Sequence, residues 1–364
     1  MVDYNEQIKE IEKEMAKMQY NKRTQHHYGL LRAKVAKLKE RDIARSGSGK
    51  GSHGYNVRKS GDATVILVGF PSSGKSTLLN KLTGAKSPVG SYEFTTLEVI
   101  PGVMKHNSAK IQILDVPGIV RGAASGTGRG KEVLACIQSA ELVLILVDTL
   151  RPNAVKVIQK EIYDANVRLN KRKPDVKITK TSKGGVDIGK TVKTEIDNKT
   201  IEAIMKEMRL INASIVIREN INIDDLIDVI ENNKKYVPGL IVMNKIDLVS
   251  KEELESLKRK YNVDICVSAE KDINLEKLKD LIYEKLNLIR IYCKEIGKKA
   301  DLEVPLIIRK DSTIKYVCEK LHKDFVKNFK FARIWGKSVK YEGQKIVKFE
   351  HKLIDNDIIE LHIK

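Results

Sequence analysis

Apolar positions along the chain follow three successive regimes. In the first, "DYNEQIKEIEKEMAKM" (3–18) sets Ile8, Ile11, Met15 and Met18 at helical spacing, with Asp3 as a start signal. Tyr28 to Arg41 repeats the spacing through Leu31, Val35 and Leu38, so the two segments predict a helical hairpin. The glycine-serine stretch "SGSGKGSHG" (46–54) then reads as a linker. From Gly61 the pattern changes to near-continuous apolar runs, "ATVILVG", "KIQILDVPG", "ELVLILVDT" and "GLIVMNKID", separated by helical segments. Runs without polar alternation predict parallel strands covered on both faces, an α/β arrangement.

About ninety residues separate Asp148 from Gly239, too many for one crossover. The middle of that interval, "KRKPDVKITKTSKGGVDIGKTVKTEIDNK", is basic and turn-rich. A helix near Thr200 to Leu210 and a strand near Ala213 to Ile217 follow, predicting a small α+β insertion over 165–220. Asp224 then opens the helix "DDLIDVIENNKKY". The third regime begins after Gly297-Lys298-Lys299. It reads as a strand, a helix begun at Thr313, then the strands "FKFARIWG", "KIVKF" and "DIIELHIK", which suggests a small β-grasp-like domain. The expected division is 1–60 (basic helical region), 61–164 and 221–296 (the two parts of the mostly parallel α/β domain), 165–220 (insertion) and 297–364 (β-grasp).

Charge narrows the partners. Lys plus Arg number 67 against 48 for Asp plus Glu, a formal net charge of +19. Such an excess favours a polyanion such as RNA or a ribosome over a merely solvated basic surface. The hairpin's second arm and tail concentrate it at Lys22, Arg23, Arg32, Lys34, Lys37, Lys39, Arg41 and Arg45. Contact with nucleic acid and packing on the main domain are equally open readings of that arm. Cys136, Cys266, Cys293 and Cys318 form no C-x-x-C pair, so neither a zinc site nor a disulfide framework is expected, and a cytoplasmic setting fits. The N-terminus does not read as a signal peptide. No apolar run approaches the roughly 20 residues of a membrane span, so no membrane partner is expected.

Candidate chemistry concentrates in four stretches. "GFPSSGKS", Gly69-Phe70-Pro71-Ser72-Ser73-Gly74-Lys75-Ser76, fits G-x-x-x-x-G-K-[ST] between a strand and the helix that Thr77 continues. Its glycines let successive backbone N–H groups face phosphates, Lys75 supplies a point charge, and the Ser76 hydroxyl suits Mg2+. "DVPG", Asp115-Val116-Pro117-Gly118, follows a strand, so that Asp115 can hold Mg2+ through water and Gly118 can offer its N–H to a γ-phosphate. "NKID" supplies Asn244, Lys245 and Asp247, whose carboxylate can accept two hydrogen bonds from guanine. Adenine would leave it unpaired, a discrimination of about 10⁴-fold. "SAE", Ser268-Ala269-Glu270, can bring the Ala269 N–H to the guanine oxygen. Their order along the chain suits one site for GTP or GDP at the carboxyl ends of parallel strands.

Between the first helix and the "DVPG" strand lies "YEFTTLEVIPG", where Phe94, Thr95 and Thr96 flank the phosphates and either threonine can reach Mg2+. Release of that loop and of the Gly118 loop on hydrolysis would make a switch, with Lys75, Thr95 or Thr96, and Gly118 as the groups acting on the γ-phosphate. Many GTPases place a Gln after this Gly to orient water, whereas here the residue is Ile119. Slow turnover, on the order of 10⁻⁴ to 10⁻² s⁻¹, is expected, or else a nucleotide-binding scaffold or RNA-binding factor with negligible turnover. Phe331 and Trp335 can stack a base, but aromatics in so small a domain are expected in its core.

The stretches "GFPSSGKSTLLNKLTG", "YEFTTLEVIPGV", "ILDVPGIVRGAASGTGRGKEVL" and "PGLIVMNKIDL" resemble the Obg-related GTPases. With "NASIVIRENINIDDLIDVIENNKKYVPGLIVMNKID" and "FARIWGKSVKY" the resemblance narrows to the developmentally regulated GTP-binding protein (DRG) family, over nearly the whole chain. It implies a P-loop GTPase domain with a ribosomal-protein-like insertion and a C-terminal TGS domain. It also implies association with ribosomes and, in eukaryotes, a dedicated stabilising partner, that is, a family-specific regulatory protein. By the family's pattern Thr96 is the Mg2+ ligand, beside Ser76 and Asp115, and a hydrophobic residue at the Ile119 position is usual. Obg relatives carry Asn where this chain has Ser72, and that Asn helps bind K+ in related GTPases, which leaves K+ activation open. Short length and basic balance fit an archaeal member.

Overall fold

The structure, a computed structural model, describes residues 4–46, 61–84, 100–115, 136–137 and 139–363. The expectations for Phe94, Thr95, Thr96, Val116, Pro117, Gly118 and Ile119 lie outside the described residues. The chain divides into two compact units, one holding the described residues 4–46 and 162–236, the other 61–161 and 237–363.

The first unit starts with α1 (Tyr4–Lys17) and α2 (Gln25–Ser46), the hairpin that the spacing predicted. Ile8, Met15, Leu31 and Val35 bury themselves between the two helices. The stretch 167–237 then supplies β5 (Val167–Leu169), β6 (Val176–Lys180), β7 (Val186–Lys190), α5 (Asn198–Glu207), β8 (Ala213–Ile217), α6 (Ile223–Glu231) and β9 (Lys235–Val237). Strands β6, β8 and β7 form one sheet in that order, antiparallel then parallel. Ile215 and Ile217 of β8 pack with Ile201, Ile204 and Met205 of α5, Leu226 of α6 and Ala33 of α2, so α2 shares a core with these elements. Asp197 caps α5 through the Thr200 N–H at 2.6 Å, and Asn222 with Asp225 makes a reciprocal capping box on α6. Helix α2 is also tied by charge: Arg32 Nε donates to Asp224 at 2.7 Å, and Lys37 meets Glu207 at 3.1 Å. Burial lowers the Arg32 pKa, but Asp224 outweighs it and the guanidinium ends above its usual range.

The second unit contains β1 (Ala63–Val68), α3 (Lys75–Thr83), β2 (Ile100–His106), β3 (Ala109–Asp115), β4 (Leu142–Asp148), β10 (Gly239–Asn244), α7 (Lys251–Tyr261), β11 (Ile265–Cys266) and α8 (Leu275–Lys285). Helix α4 (Ala154–Asp164) begins in this unit. The sheet order is β11-β10-β4-β1-β3-β2, parallel throughout except for the antiparallel edge strand β2. Every residue of β1 and β4 is buried, which is why their sequences lack polar alternation. From β1 the sheet proceeds to β3 on one side and β4 on the other, which opens a crevice at the carboxyl ends of these strands.

The same unit carries the C-terminal sheet, β12 (Leu288–Lys294), β13 (Leu306–Arg309), β14 (Phe329–Trp335), β15 (Gln344–Ile346) and β16 (Asp357–Ile363), in the order β13-β12-β16-β14-β15. Helix α9 (Ile314–Leu321), followed by the short α10 (Lys323–Asn328), sets Ile314, Val317 and Cys318 against one face of the sheet, a β-grasp. Leu288 and Ile307 join the core of the parallel sheet instead, while Arg309 pairs with Glu141 at 2.7 Å and Lys320 with Asp62 at 3.4 Å. Asp62 and Glu141 precede β1 and β4, so the β-grasp docks at the end of the sheet opposite the crevice.

One expectation is corrected here. Phe331 and Trp335 are not core residues. On β14 it is Ala332 and Ile334 that are fully buried, and alternation turns the half-buried Phe331 and Trp335 and the exposed Arg333 to the other face. Phe331 stacks on His362 at 4.2 Å, and Lys294 lies over Trp335 at 4.2 Å. The sheet is covered by α9 on one side, which leaves Phe331 and Trp335 on the outer face.

Candidate functional site

The loop between β1 and α3 is built around glycines that tolerate no side chain. A Cβ on Gly69 would lie 2.4 Å from the Leu146 carbonyl oxygen, and one on Gly74 would lie 2.3 Å from Asn244 Nδ2. Gly74 has φ 90° and Ser72 φ 67°, which curls the backbone so that its N–H groups turn inward. Helix α3 starts immediately afterwards, with no side-chain cap on its first N–H groups. Uncapped N–H groups and the positive end of the helix dipole together favour an anion.

Lys75 is the buried cation of this loop. Its Nζ donates to the carbonyls of Gly69 at 3.2 Å and Phe70 at 3.3 Å, which holds it across the mouth of the curl. Burial lowers its pKa, and the nearby Asp115 carboxylate opposes that shift. Asp115 ends β3, in register with Leu67 of β1. Burial raises the pKa of its carboxyl, while Lys75 and a hydrogen bond from Ser76 lower it. Ser76 Oγ donates to Asp115 Oδ2 at 2.9 Å, whereas the buried Asp115 Oδ1 has no partner. An orphan carboxylate oxygen beside a hydroxyl is a hard oxygen donor pair that would suit Mg2+. Among the described residues no group of three His, Cys, Asp or Glu side chains could hold a metal alone, so the fit is to a cation shared with a phosphate ligand.

"NKID" braces this loop from the end of β10. Asn244 is 2% exposed. Its Nδ2 donates to the Ser73 carbonyl at 3.0 Å, and its Oδ1 accepts from the Ala269 N–H at 3.0 Å. One side chain thus joins the phosphate loop to "SAE", and the Ala269 N–H, expected at a guanine oxygen, is engaged by Asn244 here. Lys245 sits in the left-handed region with φ 63°, and its Nζ donates to the Ser72 carbonyl at 2.7 Å. Asp247, in the 3-10 turn Ile246–Leu248, carries a carboxyl held below its usual range by the Ser268 hydroxyl. It therefore stays charged, as acceptance of two N–H bonds from a purine edge requires. Ser268 is fully buried, and Glu270 is exposed.

Two further residues support this corner and were not singled out from the sequence. Thr149 Oγ1 donates to the Lys245 carbonyl at 3.1 Å, and Asp148 lies 3.6 Å from Lys245 Nζ. Both are buried at the end of β4 and steady the left-handed turn. The signal for them was the pair of polar residues that ends the apolar run "ELVLILVDT".

A glycine-curled loop, a buried lysine, a serine-aspartate oxygen pair and an Asn-Lys-x-Asp brace, all at the carboxyl ends of a parallel sheet, define the P-loop GTPase class. Comparison with known proteins agrees. Residues 64–180 match the family model described as a 50S ribosome-binding GTPase, 183–288 the C-terminal region of that domain, and 289–363 the TGS domain. A GTP-binding protein of Methanocaldococcus jannaschii is 53% identical over 364 residues, covering 99% of this chain and 93% of its own. Developmentally-regulated GTP-binding protein 1 of Xenopus laevis is 44% identical, covering 97% of each chain. Ribosome-interacting GTPase 1 of Saccharomyces cerevisiae is also 44% identical, covering 98% of each. The chain belongs to the developmentally regulated GTP-binding protein family and carries that family's TGS domain at its C-terminus.

Proposed function

We propose that the protein binds GTP with Mg2+ and hydrolyses it slowly, GTP + H2O to GDP + phosphate, as a switch governing its association with ribosomes or RNA in translation. The observation that carries the reading is the convergence of Lys75, Ser76 and Asp115 on one curl, with Asp115 Oδ1 left unpaired. Lys75 and the loop N–H groups neutralise the β- and γ-phosphates, and Ser76 and Asp115 hold Mg2+, whose role is to draw charge off the β- and γ-oxygens. Asn244, Lys245 and Asp247, with Ser268, Ala269 and Glu270 alongside, form the guanine side. Phe94, Thr95, Thr96, Val116, Pro117 and Gly118 flank the phosphates, Thr96 being a further Mg2+ ligand, and Thr96 and Gly118 sense the γ-phosphate.

Association with ribosomes draws support from the matching model's description, the yeast relative's name and the net charge of +19. The expected division at 1–60, 61–164, 165–220, 221–296 and 297–364 is the functional layout under this reading, and the setting is the cytoplasm. Among the described residues no helix is long and apolar enough to cross a membrane.

Ile119 favours a second reading, a nucleotide-held scaffold with negligible turnover, because an isoleucine cannot orient water. Phosphate release under multiple turnover, with and without K+ and ribosomes, separates the two. Turnover that rises with either addition supports the switch. No stimulation under any condition supports the scaffold and leaves K+ and a regulatory protein without a role in catalysis.

A further inference from the structure

The first unit has an open strand edge beside an apolar groove. Among the described residues, strand β6 ends the β6-β8-β7 sheet and is paired on one side only. Its register is fixed by Val176 opposite Ile217 through Lys180 opposite Ala213. Just outside the strand, the Arg218 N–H donates to Asp175 O and the Thr181 N–H to Asn212 O, both at 3.1 Å. Antiparallel partners alternate between hydrogen-bonded and non-bonded pairs, so Asp175, Lys177, Thr179 and Thr181 direct their backbone groups toward β8. Ile178 and Lys180 therefore direct theirs away from the sheet, and among the described residues their N–H groups find no partner.

That free edge borders a groove of about 510 Å3. Val176, Ile178, Met208, Leu210 and Ile230 give it an apolar lining, and Lys173, Lys177 and Lys180 stand along it, all exposed. Glu231 in the lining is already neutralised by Lys234, which leaves the exposed Glu40 as the one carboxylate against three ammonium groups among the described lining residues. An open edge supplies main-chain hydrogen bonds, the groove accepts alternate apolar side chains, and the lysines select for charge. Lysines on an edge also repel a second copy of a basic chain, which argues against self-association as the use of this edge.

We infer that β6 is a docking edge for an acidic segment of a partner protein, which adds to the sheet as an extended strand. Apolar residues at alternate positions of that segment enter the groove on the Val176 and Ile178 face, and carboxylates at the intervening positions meet Lys177 on the other. At about 3.4 Å per residue the five residues of β6 offer roughly 17 Å of edge.

The test uses the full chain and a fluorescein-labelled, end-blocked nine-residue peptide alternating valine and glutamate. Three comparison probes are the same peptide with lysine for glutamate, the same peptide N-methylated on its edge-facing residues, and a 12-nucleotide oligouridylate. Fluorescence anisotropy should show binding of the acidic peptide alone, weakened about tenfold or more by N-methylation, the loss of about one good hydrogen bond. Lys177→Glu with Lys180→Glu should weaken it at least as much. Lys180→Pro, which removes an edge N–H without touching the core, should do so at unchanged circular dichroism and GTP affinity. Hydrogen exchange should slow about tenfold at the Ile178 and Lys180 amides on peptide addition and stay unchanged at Lys177 and Thr179. Equal binding of the N-methylated or lysine peptide, binding of the oligouridylate in place of the peptide, or no change in exchange at Ile178 and Lys180 would overturn the inference.

Discussion

Replacing Asn244 by alanine tests whether the brace between the phosphate loop and "SAE" organises the site. The side chain is 2% exposed and makes two hydrogen bonds of 3.0 Å, one to the Ser73 carbonyl and one from the Ala269 N–H. Each buried hydrogen bond contributes about 1 kcal/mol net, and each group left unpaired in a buried place costs about 1–3 kcal/mol. Two orphaned groups put the total near 2–4 kcal/mol, since water enters a site at the mouth of a crevice more easily than a closed core. About half of that should appear as lost folding stability. The rest should appear as lost affinity, because the bound nucleotide needs both loops ordered. At 1.4 kcal/mol per factor of ten, GTP affinity should fall about 5- to 30-fold. The thermal transition of the second unit should drop by several degrees, at roughly 2–4 °C per kcal/mol for a unit of this size. Asn244→Asp separates the two bonds, since it still accepts from Ala269 but sets a carboxylate against the Ser73 carbonyl, and should be no better than alanine. Calorimetric titration with GTP and Mg2+ and a differential scan provide the assays. An Asn244→Ala protein with GTP affinity within twofold and an unchanged transition would refute the reasoning.

Asp247→Asn should cost guanine nucleotides at least a hundredfold in competition binding while xanthine nucleotides gain, because the amide can donate to a xanthine carbonyl at C2. Asp247 is held below its usual range by the Ser268 hydroxyl, so its charge is lost only below the ordinary carboxylate range, and GTP affinity should not titrate through this group between about pH 5 and 8. In the first unit, Arg168 and Asp228 are 4% and 5% exposed and meet through two bonds of 2.6 and 2.7 Å. Arg168→Met should destabilise that unit by about 3–5 kcal/mol in urea unfolding, and adding Asp228→Leu should recover most of the loss. The Cys318 thiol is pushed up to about 11 by burial. Since a raised thiol pKa leaves only about one part in a thousand as thiolate at pH 8, iodoacetamide should spare Cys318 in the native protein and label it on unfolding, as read by mass spectrometry.

What could be read in the sequence followed from how each element is covered. Strands β1, β3, β4 and β10 are buried on both faces and announce themselves as apolar runs, and the phosphate loop is contiguous, so its chemistry is visible in eight residues. Strands β6 and β7 went unread because their sheet is open on one face. "VKITK" and "VDIGK" carry half the apolar content of a buried strand and look like basic loop. Phe331 and Trp335 were assigned to the core from residue type alone. Only the position of α9 shows that Ala332 and Ile334 take the covered face of β14. The pairing of Arg168 with Asp228, sixty residues apart, and the support of Lys245 by Thr149 depend on which strands lie side by side, which no local pattern encodes.

The central claim concerns one pocket, and titration calorimetry with Mg2+ tests it most directly. The account predicts that GTP and GDP bind and that ATP binds at least a thousandfold more weakly. It predicts as well that Asp115→Ala removes the Mg2+ dependence of GTP binding. ATP bound as well as GTP, or neither nucleotide bound with Mg2+ present, would contradict it.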